Sequence, residues 1–360
     1  MEEKDMLLSQ QRIPASIGDF FSGNAVRGIL QRYIPHAHRY WIGSARAGIR
    51  HILSQLRVEK HVKKVGLPAY TCQVVLDAVQ SAGCEPVFYD SGVVAEIHDI
   101  KKIIKNIDAL ILTYNFGFLP NIEMIAALCK KHRVLLIEDC AQALGARHRG
   151  CLVGSFGDYA VYSFGISKNI GFCGGMITSR TPLPFFRLQK YPLIKLWKNI
   201  AFVMASPLIF NKTLYPLFFP LLSVHLRHKP EKLPYSCPTV AKTVILHQLH
   251  RYDTIRSVRQ RNGEYCAREL PGVIPFVPAG NGEPSWLYFV ILSEHAPELR
   301  GRLLRQGIDL GPMLTFRCLD QEKPKAADAE KKVLTFALYR PYGEIKMIIA
   351  ALKKTCAYGN

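Results

Sequence analysis

The segment IEDCAQALGARHRGCLVGSFGDYAVYSFGISKNIGFCGGMITS, residues 137–179, contains a single lysine. Lys168 lies in a run of aromatic, apolar and small residues, and no other charged residue stands between Asp158 and Arg180. Burying an ammonium group without a partner is strongly unfavourable. A lysine retained in such a run is therefore predicted to have a chemical role.

Upstream of this segment, the hydrophobic period alternates between that of a helix and that of a strand. Ser44 precedes the first helical pattern as a plausible N-cap. Short, continuously apolar strands separated by helices are typical of a largely parallel sheet covered on both faces. The predicted order is a helix at Ser44–Arg57, a strand at Val62–Leu67, a helix at Thr71–Ala82, a strand at Glu85–Tyr89, a helix at Asp99–Asn106, a strand at Ala109–Thr113, a helix at Asn121–His132 and a strand at Val134–Ile137.

The pattern changes after Gly150, and a second, smaller α/β domain is predicted. At about 150 residues per domain, a chain of 360 residues favours two domains. We predict a large domain at residues 1–237 and a small C-terminal domain at residues 238–360. The predicted elements of this part are strands at Tyr159–Phe164, Met176–Ser179 and Trp286–Leu292, and helices at Thr239–Asn262, Glu298–Gln306 and Glu344–Lys353.

The chain carries a large excess of positive charge, with 47 Lys and Arg against 28 Asp and Glu and a formal net charge of +19. Such an excess attracts anions, for example nucleotides, phosphorylated metabolites or an acidic membrane face. The basic residues are scattered, and neither zinc-finger spacing nor a basic region leading into heptads is present. We therefore predict no nucleic-acid partner and no metal site.

The cysteines and the N-terminus favour a cytoplasmic protein. The ten cysteines include no Cys-x-x-Cys pair, which favours free thiols in a reducing compartment. The first residues, MEEKDMLLSQQRIP, are charged and lack the apolar core of a secretion signal.

The segment from Pro192 to Val224 is very apolar but is interrupted by lysines and prolines. A membrane-spanning helix needs about 20 nearly uninterrupted apolar residues, and this segment has no such run. We favour a buried subunit interface. The alternative is a membrane-surface element whose lysines face lipid headgroups.

Several reactive side chains are predicted to meet at one edge of the sheet. Ligands of open α/β sheets bind beyond the carboxyl ends of the strands, where Asp139, Ser163 and Lys168 follow predicted strands. Pyridoxal phosphate requires a lysine amine, a carboxylate for its ring nitrogen, and hydroxyl and backbone N–H groups for its phosphate. The helix that begins at Ser44-Ala45-Arg46 is a candidate for the phosphate. Taken singly, Asp139 also fits a helix N-cap, and Gln142 an ordinary helix residue.

Residues 137–179 resemble the central signature of the DegT/DnrJ/StrS sugar aminotransferases, which have the fold-type-I architecture of pyridoxal-phosphate enzymes. The shared parts are an acidic pair, Ala-Gln, a glycine turn ending in Asp, Ser-Phe-x-x-x-Lys-Asn and Gly-Gly. They correspond here to Glu138-Asp139, Ala141-Gln142, Gly154 to Asp158, Ser163 to Asn169 and Gly174-Gly175. GSARAGIRHIL, PAYTCQVVLDAVQSAGCEPVFYD and HQLHRYDTIRSVRQRNGEYCAREL extend the resemblance over about Trp41 to Leu352.

The resemblance implies a role for each matching residue. Lys168 would form the Schiff base with the cofactor and move a proton, and Asp139 would pair with the ring nitrogen. Gln142 would donate to the phenolic oxygen. The phosphate would be held by Ser163 and by the backbone N–H groups of Ala45 and Arg46.

Two departures from the family pattern stand out. Many relatives place a stacking aromatic ring after Thr71, where this chain has Cys72, so stacking falls to Tyr70 or is absent. Relatives commonly supply an asparagine from the neighbouring subunit to the phosphate. The matching region here, LPYSCPT, has none, and Tyr235 or Ser236 is the candidate substitute.

The function implied by the resemblance is amination of a nucleotide-linked keto sugar with glutamate as donor, by a homodimer. The products of such enzymes enter surface polysaccharide, lipopolysaccharide or antibiotic sugars. A sugar dehydratase is one alternative, but those relatives replace the lysine with histidine. A non-catalytic sensor or assembly protein with the same fold is the other.

Overall fold

The computed structural model describes residues 7–9, 15–20, 28–184, 188–217, 234–270, 282–311 and 316–357. The strands in these ranges are β1 His38–Ile42, β2 Lys64–Pro68, β3 Tyr70–Cys72, β4 Glu85–Tyr89, β5 Ala109–Thr113, β6 Leu135–Asp139, β7 Arg147–His148, β8 Cys151–Leu152, β9 Tyr159–Ser163, β10 Gly175–Ser179, β11 Gly282–Glu283, β12 Tyr288–Leu292, β13 Phe316–Cys318 and β14 Val333–Ala337.

The helices come between these strands or after them, as the sequence pattern predicts for an α/β protein. They are α1 Ala45–Glu59, α2 Gln73–Ser81, α3 Ile97–Ile103, α4 Ile122–His132, α5 Leu193–Ile209, α6 Thr239–His250, α7 Tyr252–Glu269, α8 Ala296–Arg305, α9 Pro324–Lys332 and α10 Tyr342–Ala357. Ser44 caps α1 by accepting from the Ala47 N–H at 3.2 Å, which confirms the predicted N-cap.

A seven-stranded sheet in the order β1-β10-β9-β6-β5-β2-β4 forms the centre of the molecule. The strands from β9 to β4 in this order pair in parallel, and β10 and β1 pair antiparallel at one edge. The predicted fold class, an α/β protein with a largely parallel mixed sheet, is confirmed.

Helices cover both faces of this sheet, because side chains alternate between the two faces along each strand. In β6, Ile137 belongs to the apolar cluster formed with α1 and α2, whereas Leu136 belongs to the cluster on the opposite face, formed with α3, α4 and α6. Glu138 and Asp139 must therefore leave β6 on opposite faces, with Asp139 on the side of α1.

A separate apolar cluster holds the C-terminal part together. β12 and β14 pair antiparallel, and α8 and α10 pack with them. β3 pairs with β13 and so links this cluster to the large sheet. The division at residues 237 and 238 stays a prediction. α6, which follows it, contributes Ala241 and Val244 to the core of the large sheet.

Two predicted helices were wrong in their bounds. Thr71 and Cys72 belong to β3, because their main chain pairs with β13, and the helix begins only at Gln73. The helix predicted over Thr239–Asn262 is divided into α6 and α7 at Arg251, whose side chain binds Asp19 at 2.6 Å.

The first part of the apolar segment predicted at Pro192–Val224 forms α5, and residues 218–224 lie outside the described ranges. No helix in the described part of the chain meets the length and hydropathy that crossing a membrane requires.

Candidate active site

Asp139 ends β6 and lies on the α1 side of the sheet. It is 8% exposed, and its Oδ1 accepts from the Ala141 N–H at 3.0 Å. Within the described residues, no other hydrogen bond to this carboxylate occurs. Burial raises the pKa of Asp139, whereas the Ala141 N–H and the nearby charge of Lys168 act to lower it. A buried carboxylate with an acceptor atom to spare is suited to bind a protonated ring nitrogen.

Ser163 and Lys168 converge beside Gly165. Ser163 lies on the same face as Asp139, since Val161, two residues earlier in β9, packs in the α1 cluster. A Cβ built on Gly165 would lie 3.6 Å from Ser163 Oγ and 3.8 Å from Lys168 Cγ. The Lys168 N–H donates to the Gly165 carbonyl at 3.0 Å, which closes a tight loop directly after β9.

The N-terminus of α1 reaches the same place through Gly175. Gly175 is the register partner of Ser163, and a Cβ built on it would lie 2.8 Å from the Ala45 nitrogen. Only glycine permits this approach, which brings the first turn of α1, with Ala45 and Arg46, next to Ser163. Backbone N–H groups and the positive end of a helix dipole favour a phosphate.

Gln142 is oriented by two neighbouring segments. Its Oε1 accepts from the Phe116 N–H at 2.5 Å, and its main-chain carbonyl accepts from Ser285 Oγ at 2.6 Å. Because the side-chain oxygen is occupied by an N–H donor, the Nε2 group is the part that can donate elsewhere. A donor is what the predicted contact to a phenolic oxygen requires.

Tyr70 packs in a cluster of aromatic rings, and its role as the stacking ring stays a prediction. It is 2% exposed and belongs to the apolar cluster of the C-terminal part, with its ring edge-on to Phe316 at 5.8 Å. Phe116 stacks on the same Phe316 ring at 5.0 Å. Pairing of β3 with β13 carries Tyr70 into this cluster.

The segment with Tyr235 and Ser236 lies beside the start of α1 in the same chain. The Gly43 N–H donates to the Tyr235 carbonyl at 2.7 Å, and Cys237 Sγ would lie 2.7 Å from a Cβ built on Gly174. Its position near the predicted phosphate site agrees with the place where relatives use an asparagine. Which subunit's site it serves stays a prediction.

Glu138 is a structural residue, in contrast to its neighbour Asp139. It is fully buried and accepts from the N–H groups of Gly154, Phe156 and Gly157 at 2.6–2.8 Å and from the Tyr114 hydroxyl. Burial raises the pKa of Glu138, and these donors act to lower it. The carboxylate thus fixes the glycine turn of residues 154–157.

Glu138→Gln is expected to lower the free energy of unfolding by about 3 kcal/mol, because the amide group would face N–H donors that need an acceptor. Urea unfolding followed by circular dichroism measures this loss. Glu123→Gln on α4 is the matched control. Glu123 is 40% exposed and pairs with Arg149 at 2.7 Å and with His148 at 3.7 Å, so its replacement should change stability by under about 1 kcal/mol. Equal unfolding midpoints for the two variants would contradict the structural role.

Two sets of hydrogen bonds that hold the Lys168 loop were not predicted from the sequence. Gln248 of α6 exchanges two hydrogen bonds with Gly171, at 2.8 and 3.2 Å, and the Tyr288 hydroxyl donates to the Ser167 carbonyl at 3.2 Å. The sequence feature that could have predicted the first contact is Gln248 itself, because it lies between apolar positions of a helix, where an unpaired amide is costly. These contacts hold the loop from α6 and from β12 of the C-terminal part.

The sheet topology and the converging residues define a fold-type-I protein with a site that fits pyridoxal phosphate. Residues 24–184 match the model of the DegT/DnrJ/EryC1/StrS aminotransferase family. The match covers a little under half of the chain and includes Asp139, Gln142, Ser163 and Lys168.

Several known proteins resemble the chain in sequence or in fold. A pleiotropic regulatory protein of Geobacillus stearothermophilus is 36% identical over 30% of this chain and 31% of its own length. The UDP-N-acetyl-3-dehydro-alpha-D-glucosamine 3-aminotransferase of Acidithiobacillus ferrooxidans is 37% identical over 32% of this chain and 33% of its own length. The chain thus aligns with about a third of the length of these curated relatives. The PLP form of Spr1654 from Streptococcus pneumoniae shares the fold, with a TM-score of 0.71, 17% identity and 97% of each chain covered.

Proposed function

We propose that this protein is a pyridoxal-phosphate-dependent aminotransferase that aminates a nucleotide-linked keto sugar. The observation that carries the proposal is the convergence of Lys168, Asp139 and Ser163 with the N-terminus of α1 at one edge of the sheet. Each of these groups suits a different part of the same cofactor.

The residues present fit the cofactor. The spare oxygen of Asp139 would bind the ring nitrogen, Gln142 Nε2 the phenolic oxygen, and Ser163 Oγ with the N–H groups of Ala45 and Arg46 the phosphate. When bound, pyridoxal phosphate supplies a carbon that reacts with amines and a ring that withdraws electrons.

Lys168 and Asp139 have separate tasks. The Lys168 Nζ would hold the cofactor, and the free amine would serve as the base that takes a proton from the donor carbon and returns one to the sugar carbon. Asp139 would keep the proton on the ring nitrogen. Pairing with a cation relieves the cost of burying its charge.

The substrate class rests on the match of residues 24–184 to the family model and on the names of relatives, among them the 3-aminotransferase of A. ferrooxidans. We propose glutamate as the donor and the cytoplasm as the location. The product would enter surface polysaccharide or lipopolysaccharide synthesis. Retention of both Lys168 and Asp139 favours an enzyme over a regulatory protein, although one relative bears a regulatory name.

The visible spectrum of the purified protein, loaded with cofactor, tests the activity. We expect the absorption of the lysine-bound cofactor to disappear on addition of glutamate, because the amino group is transferred to the cofactor. Glutarate, which lacks the amino group, is the matched control and should leave the spectrum unchanged. Failure to bind the cofactor, or a spectrum that ignores every amino acid tested, would refute the proposal and favour a non-catalytic role.

We also propose a homodimer, since the family resemblance places a phosphate contact from the neighbouring subunit at the region of Tyr235 and Ser236. Sedimentation of an active monomer at working concentration would contradict it.

A further inference from the structure

Helix α5 exposes an apolar stripe along its whole length. Leu193 and Trp197 are 71% and 65% exposed, and further exposed apolar residues follow at helical spacing. At 100° per residue, they all fall within about 100° of the helix circumference. The stripe consists of Leu193, Ile194, Trp197, Ala201, Met204 and Leu208.

The other side of α5 already packs against the protein. Val203 and Ser206 are buried, and Leu196 and Ile200 pack against the core of the large sheet. Five of the ten large hydrophobic residues that are exposed in the described part of the chain belong to the stripe. A contiguous apolar surface of this kind marks a site of interaction.

The surroundings of the stripe are positively charged. The described residues around α5, 188–217, contain four lysines and no Asp or Glu. Lys198 lies at the edge of the stripe, and Lys190 and Lys212 are exposed near the two ends of α5. Lys195 lies on the inner side, over the Tyr235 ring at 4.9 Å.

We propose that α5 lies on an anionic lipid surface, with the stripe in the headgroup region and the lysines against acidic lipid. Leucine, isoleucine and tryptophan next to lysines and without acidic residues are the composition that such interfacial helices use. α5 contains Pro207, and no described helix meets the requirements for a span, so α5 would lie in the surface plane.

A second copy of the chain is the competing occupant, and charge argues against it. A two-fold interface pairs the same patch with itself, so the acid-free region of one copy would face that of the other. Like charges would then be brought together, whereas acidic lipid neutralises them.

Vesicle co-sedimentation tests the proposal without substrate. We expect the protein to bind vesicles of equal parts phosphatidylcholine and phosphatidylglycerol, and to bind pure phosphatidylcholine far more weakly. Binding should weaken but not disappear from ~0.1 M to ~0.5 M salt, because salt screens the attraction between lysines and acidic lipid but not the burial of the stripe. The fluorescence of Trp197 should shift to the blue with the mixed vesicles, and the shift should be lost in Trp197→Phe.

The double variant Leu193→Gln/Trp197→Gln should bind mixed vesicles at least about tenfold more weakly, because it removes two side chains from the buried apolar area. The matched control, Val58→Gln/Met124→Gln, changes exposed apolar residues of α1 and α4 and should bind normally. Absence of vesicle binding by the unmodified protein would overturn the proposal. So would a stripe variant that dissociates a dimer in sedimentation velocity while its vesicle binding is unchanged.

Discussion

Replacing Lys168 by alanine is expected to lower amino-group transfer by at least about four orders of magnitude. The variant would lose both the amine that holds the cofactor and the base that moves the proton. Coupled detection of the keto acid formed from glutamate measures the rate. In the unmodified enzyme, borohydride reduction should fix the cofactor on the peptide that contains Lys168, as peptide mass spectrometry would show.

Lys101→Ala is the matched control, since Lys101 is an exposed lysine of α3 outside the site. It should keep its activity and its borohydride-fixed cofactor. Attachment of the cofactor to a lysine other than Lys168 would refute the assignment. A Lys168→Ala variant with near-normal transfer would refute it as well.

The second large effect is expected for Asp139→Asn, which should lower the rate by at least about three orders of magnitude while the protein stays folded. An amide cannot hold the ring nitrogen in its protonated form. The fold should tolerate the change because the hydrogen bond that Asp139 receives within the described residues, from the Ala141 N–H, can be accepted by an asparagine oxygen. Stopped-flow spectra of the half-reaction with glutamate measure the rate.

Asp158→Asn is the control for Asp139→Asn, because it also removes a carboxylate charge but does so outside the site. Asp158 also carries a carboxylate next to β6, where it accepts from the Leu136 N–H at 2.9 Å, but it lies near the opposite end of that strand. This control should transfer amino groups at a near-normal rate per folded molecule. Equal half-reaction rates for Asp139→Asn and the unmodified enzyme would refute the role of Asp139.

The sequence was most informative where local and tertiary forces agree. The bounds predicted for β4 and β5 match the structure, because short apolar runs between helices have no competing partner. Thr71 and Cys72 were assigned to a helix because their period fits one. These two residues instead pair with β13, which comes much later in the chain, and a local hydrophobic pattern carries no information about such a distant partner.

The sequence alone predicted the alternation of helices and strands from Ser44 to Ile137, and it placed Asp139, Ser163 and Lys168 at or after the ends of strands. It could not separate Glu138 from Asp139, because two adjacent carboxylates have the same local chemistry. The strand sends them to opposite faces, and only the tertiary structure decides what each face contains. Both oxygens of Glu138 accept hydrogen bonds from the N–H groups of a glycine turn. Asp139 lies in the field of the Lys168 charge and keeps one oxygen available for a ligand. The same holds for Tyr70, which sheet pairing buries in the C-terminal cluster.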